Sequence, residues 1–235
     1  MAERKVYFDR QITFYCQCDF LFDDVDDLDN DGKRFETYLL PKSCGYEPRK
    51  PITKKGKVNS RTVRIEWEHV MPAKFIGGHL PQWANRNSFS ECRNKKGKYI
   101  SRRDCAYDLN DNFRRAHDDL VNLVPAVGEL NGDRSDLNFA EIDKEVRNYG
   151  QCDFEVDFER DVVEPSPNVR GDIARIYFYM INEYNARISE SQYKQMQAWS
   201  EGDLVDEWEC KRNQRILEAQ GKGNQLVLSQ CIASE

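Results

Sequence analysis

Apolar and polar positions along the chain follow two periods, and the change from one to the other marks out the elements. ITFYCQCDF (12–20) and VRIEWEHV (63–70) are rich in β-branched and aromatic residues and read as strands. FEVDFE (154–159) alternates with period two, which puts Phe154, Val156 and Phe158 on a buried side and predicts a solvated acidic face opposite. From Asp108 the apolar residues Leu109, Phe113, Ala116, Leu120 and Val124 recur at helical spacing until Pro125 ends the run. Ile173, Ile176, Tyr177, Met180, Ile181 and Tyr184 form the core-facing stripe of a second helix. Ser189 with Gln192 resembles a capping box that opens another. A last helix is expected from about Asp206 to Gln220, stopped by Gly221. Residues 2–8 read as the end of a helix, segments 21–36 and 46–61 as loops, and the stretch after Gly77-Gly78 up to Cys105 as irregular chain. The class is α+β.

Length and composition allow a single domain over 1–235: 235 residues at 39% hydrophobic content bury a substantial core, and no internal repeat or Pro/Gly/Ser-rich linker divides them. The net charge of −6 argues against a nucleic-acid partner, but its distribution argues for one. Arg49, Lys50, Lys54, Lys55, Lys57, Arg61 and Arg64 follow one another with no acid between them. So do Arg93, Lys95, Lys96, Lys98, Arg102 and Arg103, in a basic loop covering about 85–104. These blocks bracket RIEWEHVMPA (64–73) and read as a phosphate-attracting rim. Conversely, the insertion at about 21–36 is acidic. Within it Asp27, Asp29, Asp31 and Gly32 spell the start of an EF-hand-type loop, but Tyr38 stands where the twelfth-position glutamate belongs. A structural Ca2+ site and a solvated acidic loop both fit that pattern.

Cys16, Cys18, Cys44, Cys92, Cys105, Cys152, Cys210 and Cys231 are an even set with no C-x-x-C spacing, which favours disulfides in an oxidising compartment over zinc. Cys92 with Cys105 and Cys210 with Cys231 suit short loops, whereas Cys16 and Cys18, two apart, each need a distant partner. No export signal or membrane-length apolar run is present. The expectation is a mature periplasmic or extracellular chain with no membrane partner.

RIEWEHVMPA holds the candidate chemistry. On a strand Glu66 and Glu68 share a face while His69 points the other way. Pro72 removes a backbone donor and restricts Met71, so pairing should end near His69 and let Glu68 and His69 turn toward one ligand. A carboxylate suits a hard cation, and an imidazole suits proton abstraction from water. The zincin, nucleophile-elbow and P-loop motifs are absent. His79 carries no signal in its loop, and His117, on the predicted helix, reads by default as a structural histidine.

RIEWEHVMPA, DDLVNLVPAVGELNGDRSD (118–136), GQCDFEVDFE, RGDIARIYFYM (170–180) and EWECKRNQRILEAQG (207–221) occur in the order found in the bacterial endonuclease I family, which this sequence resembles from about Val6 to Gly221. The resemblance implies a ββα-metal (His-Me finger) core with additional helices and disulfide bonds, and a periplasmic or secreted nuclease without sequence preference. It implies His69 as general base and Glu68 and Asn122 as ligands of Mg2+, with Mn2+ or Ca2+ as substitutes. It also implies a phosphate-contacting arginine, Arg102 by spacing with Arg103 beside it, and a supporting role for Glu66. The sequence departs from the family pattern in the run from Phe75 to Cys105, which is longer and more basic, in His117, which stands where many relatives carry an acid, and in the acidic insertion at 21–36. The expected activity is metal-dependent hydrolysis of DNA, and of RNA, by a monomer. A secreted nucleic-acid-binding module without cleavage and a small-substrate metal-dependent phosphoesterase are the alternatives.

Overall fold

The structure, a computed structural model, describes residues 1–23, 36–144 and 146–233. In chain order the elements are α1 (Ala2–Lys5), β1 (Phe20–Asp23), β2 (Glu36–Leu39), β3 (Ile65–His69), α2 (Ala73–Gly77), α3 (Pro81–Ala84), α4 (Arg102–Leu109), α5 (Asp111–His117), β4 (Leu123–Val127) and α6 (Gly128–Arg134). There follow β5 (Asn138–Phe139), β6 (Phe154–Asp157), β7 (Val162–Pro165), α7 (Arg170–Tyr184), α8 (Glu190–Gly202), α9 (Glu207–Gln220) and α10 (Gln225–Ala233). Helix and sheet are mixed, as the pattern predicts. The described residues group into two units, Met1–Glu68 with Val124–Arg170, and His69–Leu123 with Gly171–Glu235. The possible calcium residues Asp27, Asp29 and Asp31 lie outside the described residues.

The first unit carries the sheets. β1 pairs antiparallel with β2, and β7 lies between β5, parallel to it, and β6, antiparallel to it. β3 and β4 form a two-stranded sheet, continued past its end where the Gly128 N–H donates to the Arg64 carbonyl at 3.0 Å. Tyr15, Phe139, Tyr149 and Phe154 are buried together, with Tyr15 and Phe154 rings 4.8 Å apart. Disulfides Cys16–Cys152 and Cys18–Cys44 supply the distant partners that the spacing required.

Two expectations fail in this unit. Residues 12–20 are a closed turn, not a strand, and β1 begins only at Phe20. The Thr13 N–H donates to the Cys18 carbonyl, the Cys18 N–H donates to Thr13 Oγ1, and Gln17 adopts φ 55°. Two cysteines drawn to different partners and a left-handed residue between them override β propensity. In β6 the acidic face is solvated only in part: Glu155 is buried with Arg147 3.6 Å away, whereas Asp157 is half-buried and Glu159, beyond the strand, is exposed. Phe158, expected in the core, lies beyond the strand, 47% exposed, with the Arg49 guanidinium 4.5 Å over its ring.

The second unit is helical. Ile173, Ile176, Tyr177, Met180 and Tyr184 are buried along α7, as their spacing predicts. Ser189 accepts the Gln192 N–H, Asp206 accepts the Glu209 N–H, and Gly221 stops α9 at φ 81°. The unanticipated α10 is tied back by Cys210–Cys231 and by Asn213, which exchanges hydrogen bonds with the Asn224 backbone. Cys92–Cys105 forms the other short loop.

The helix expected over 108–124 is corrected. α4 ends at Leu109, Asn110 caps α5, α5 stops at His117, and Leu120–Asn122 is a single 3-10 turn capped by Asp119. Phe113, Ala116, Leu120 and Val124 are all buried, so the apolar spacing recorded burial rather than one continuous helix. LVPAV is a short apolar run with turn residues on its N-terminal side, which suits a strand as well as a helix. No described helix is long and apolar enough to cross a membrane.

Candidate active site

His69 closes β3 just before Pro72 caps α2, where the missing proline donor ends regular pairing. Its Nε2 lies 2.8 Å from the His117 carbonyl oxygen. A carbonyl only accepts, so Nε2 carries the proton and Nδ1 presents a lone pair. Arg103 Nη2 lies 3.3 Å from that Nδ1.

Arg103 is held by a second histidine. Its Nε and Nη2 donate to His117 Nε2 at 2.9 and 2.5 Å, and His117 Nδ1 donates to Asp118 Oδ1 at 2.9 Å. Burial lowers the His117 pKa; the Asp118 hydrogen bond opposes the shift and the Arg103 charge reinforces it. A neutral ring is what the arrangement requires, because Nε2 must accept from Arg103. The two imidazoles lie 4.4 Å apart and Tyr107 flanks His117 at 5.0 Å. Arg102, which the spacing favoured, is exposed at the first position of α4; Arg103 is the arginine brought to the histidines. His117, read from sequence as a structural residue, thus contributes a carbonyl to His69 and a ring to Arg103.

Asn122 is buried on the 3-10 turn that leads into β4, not on a helix. Its Oδ1 accepts the Met71 N–H at 2.7 Å, its Nδ2 donates to the Met71 carbonyl at 3.0 Å, and its own carbonyl accepts from Val70 N–H. This side-chain pairing extends the strand contact beyond His69 and fixes the amide. The turn itself is gripped from two directions. Arg212 Nη2 donates to the carbonyls of Leu120, Val121 and Leu123 at 3.0, 2.9 and 3.2 Å. Asp119 accepts from Val121 N–H, Gln220, Tyr179 and Tyr184, with Lys222 3.2 Å away. Burial, and after it the Asp119 carboxylate, raise both tyrosine pKa values, so they stay protonated donors.

Glu68, the residue before His69, is buried in the first unit. Its Oε1 accepts from Tyr15 Oη at 3.3 Å and lies 3.3 Å from Nη1 of the buried Arg134. Arg134 also stacks over Phe139 at 4.7 Å. Glu66 stands in a different cluster: Arg61 and Arg64 donate to its carboxylate, as does Asn131 at 3.1 Å. Gly132 makes room for it, since a Cβ there would come within 2.1 Å of Arg61 Nη1. Glu66 therefore organises α6 against the chain entering β3. Among the described residues no three His, Cys, Asp or Glu side chains converge as a ready-made metal cage.

A sequence model of the Endonuclease I family matches residues 2–230. The chain belongs to the endonuclease I family. An extracellular deoxyribonuclease of Aeromonas hydrophila is 37% identical over 230 residues, 97% of this chain and 85% of the relative. A periplasmic deoxyribonuclease of the same organism is 36% identical over 230 residues, covering 97% of this chain and 82% of its own length. Endonuclease-1 of Buchnera aphidicola is 36% identical over 219 residues, 93% of this chain and 74% of the relative.

In this endonuclease I chain several arginines of the basic blocks are engaged with other residues, whereas Arg102 is exposed. Arg49 pairs with Asp133 at 2.5 Å, Arg61 and Arg64 pair with Glu66, and Arg93 donates to the Gly97 carbonyl and stacks over Tyr99. Lys54, Lys55, Lys57, Lys95, Lys96 and Lys98 are exposed. Counting charge along the sequence could not separate these roles. Nor could it find Arg134, Arg212 or Asp119, each of which stands beside other polar or charged residues in the sequence.

Proposed function

We propose that this chain is a Mg2+-dependent, sequence-nonspecific endonuclease that hydrolyses DNA, and RNA, as a monomer in the periplasm or outside the cell. The observation that carries this reading is the His69 ring: its Nε2–H is committed to a backbone carbonyl, and its Nδ1 lone pair faces an arginine. That is a base prepared to take a proton from water beside a group prepared to hold phosphate.

Glu68 and Asn122 would hold the Mg2+. Their donor chemistry fits: the Asn122 amide oxygen retains a lone pair beyond its bond to Met71, and Mg2+ needs only one or two protein oxygens because it keeps several waters. An ion held there would supply Lewis-acid stabilisation of the charge that develops during phosphodiester hydrolysis. His69 Nδ1 takes a proton from the water that attacks phosphorus in line, and the His117 carbonyl steadies the imidazolium that forms. Arg103 moves from Nδ1 to the phosphoryl oxygens, so substrate itself uncovers the base. Contacts of this kind carry no sequence information, hence the lack of preference. The ββα-metal reading takes β3 and β4 as its strands and α6 as its helix; in support, β3 and β4 pair and α6 leaves β4 without a loop.

Plasmid nicking by folded protein, with and without excess EDTA and with added Mg2+, tests this reading. Activity is expected to vanish with chelator and return with Mg2+; equal nicking in EDTA would overturn the metal assignment. Assays on duplex DNA, single-stranded DNA and RNA decide the substrate range.

A further inference from the structure

Two turns of this chain repeat each other. Thr53-Lys54-Lys55-Gly56-Lys57-Val58 in the first unit and Asn94-Lys95-Lys96-Gly97-Lys98-Tyr99 in the second share the core Lys-Lys-Gly-Lys. Their backbones close alike. Thr53 N–H donates to the Lys57 carbonyl and Asn94 N–H to the Lys98 carbonyl, both at 2.8 Å. Gly56 N–H donates to the Thr53 carbonyl at 2.9 Å and Gly97 N–H to the Asn94 carbonyl at 2.8 Å. The glycines adopt φ +74° and +72°, and the bridges Ile52–Val58 and Arg93–Tyr99 flank the turns. Even the side-chain cap recurs: Thr53 Oγ1 accepts from Lys57 N–H, and Asn94 Oδ1 accepts from Lys96 and Lys98 N–H.

Each hydrogen-bonded turn displays three exposed ammonium groups, and none of the six forms an ion pair with a described residue. Arg49, Arg61, Arg64 and Arg93 nearby are instead engaged with other residues of the chain. Exposed like charges repel one another across such a turn, so folding alone gives no reason to cluster them. A polyanion does, and lysine, a flexible point charge without a planar fork, suits backbone phosphates of varying position.

We propose that the two Lys-Lys-Gly-Lys hairpins are phosphate anchors that hold a polynucleotide backbone in addition to the Arg103 contact. This rests on the nuclease reading. The test measures binding of a duplex in EDTA across a salt series by fluorescence anisotropy. The variants are K54Q/K55Q/K57Q, K95Q/K96Q/K98Q, both triples combined, and a control of equal charge change, K144Q/K194Q/K211Q. Each hairpin triple should flatten the slope of log Kd against log salt by about 1 to 3, with the combination additive, the control unchanged, and Lys→Arg triples retaining the slope. Slopes equal to wild type in folded hairpin variants would overturn the proposal, as would an equal effect from the control, which would reduce the matter to net charge. Loss of binding to phosphatidylglycerol vesicles with duplex binding intact would also overturn it and assign the hairpins to a membrane surface. If wild-type protein cuts plasmid, these failures leave the nuclease reading standing; if it neither binds nor cuts, both fall.

Discussion

His69 Nε2 donates to the backbone carbonyl of His117 across 2.8 Å, so a residue forty-eight positions away selects the ring nitrogen that can act as base. Because the partner is backbone, replacing the His117 side chain leaves that bond possible. Replacing His69 removes the base. His69→Ala is therefore expected to lower single-turnover plasmid cleavage by about 10² to 10⁴-fold with an unchanged melting temperature. Full activity in the folded variant would sink the assignment.

Arg103 and Arg102 are adjacent, yet only Arg103 reaches the histidines. Loss of a preorganised cation at a phosphoryl group costs on the order of 10² in rate. Arg103→Ala should show that loss in kcat, Arg103→Lys should recover part of it, and Arg102→Ala should stay within a few-fold of wild type. The reverse ranking would return the role to Arg102.

The difference between these arginines marks what the sequence can convey. RIEWEHV, with Pro72 behind it, foretells a strand ending at His69, since proline chemistry is local. Direction is not local: successive residues on a helix point about 100° apart, and which one meets His69 depends on where α4 lies. The same limit explains Asn122. The run Leu109 to Val124 truly marks buried positions, but the break at Asn110 and the turn capped by Asp119 come from side-chain bonds to distant or flanking backbone. In 12–20 disulfides defeat strand propensity, and Glu155 is buried because Arg147 lies alongside it.

His117 is a histidine whose proton affinity changes on folding. Its folded pKa is lowered below the usual value near 6.5, chiefly by burial. In the window between the two values the unfolded chain binds the extra proton, so stability is full above about pH 6.5 and falls as pH drops toward the folded value. Protonation would also set an Nε2–H against the Arg103 donors, while Asp118 and Asp104 favour the cation and His69 and Tyr107 pack beside it. Melting temperature followed from about pH 8 to 5 should decline on the acid side, and His117→Asn should flatten that decline. An identical acid limb in the variant would exclude His117 as its source.

Arg212 is buried and one of its nitrogens serves three carbonyls around Asn122. Arg212→Met keeps the stem and leaves those carbonyls short of a donor, which should cost about 2 to 3 kcal/mol. Because the turn carries a proposed ligand, the Mg2+ concentration for half-maximal cleavage should rise as well. Thermal melts and Mg2+ titrations separate the two effects; a lower melting temperature with an unaltered Mg2+ titration would make Arg212 a stabilising residue only.

The disulfides should differ in worth because their loops differ in length. Cys16–Cys152 spans 136 residues and Cys92–Cys105 spans 13. Chain entropy alone assigns about 5 kcal/mol to the first and about 3 kcal/mol to the second. The longer link has a further consequence, since Cys16 follows Tyr15, whose hydroxyl donates to Glu68. Cys16→Ala/Cys152→Ala should therefore lower the melting temperature more than Cys92→Ala/Cys105→Ala does, and should raise the Mg2+ requirement by loosening the carboxylate. Equal melting temperatures would show that the unfolded chain gains nothing from the longer loop, and an unchanged Mg2+ requirement would show that Glu68 is held by Arg134 without help from Tyr15.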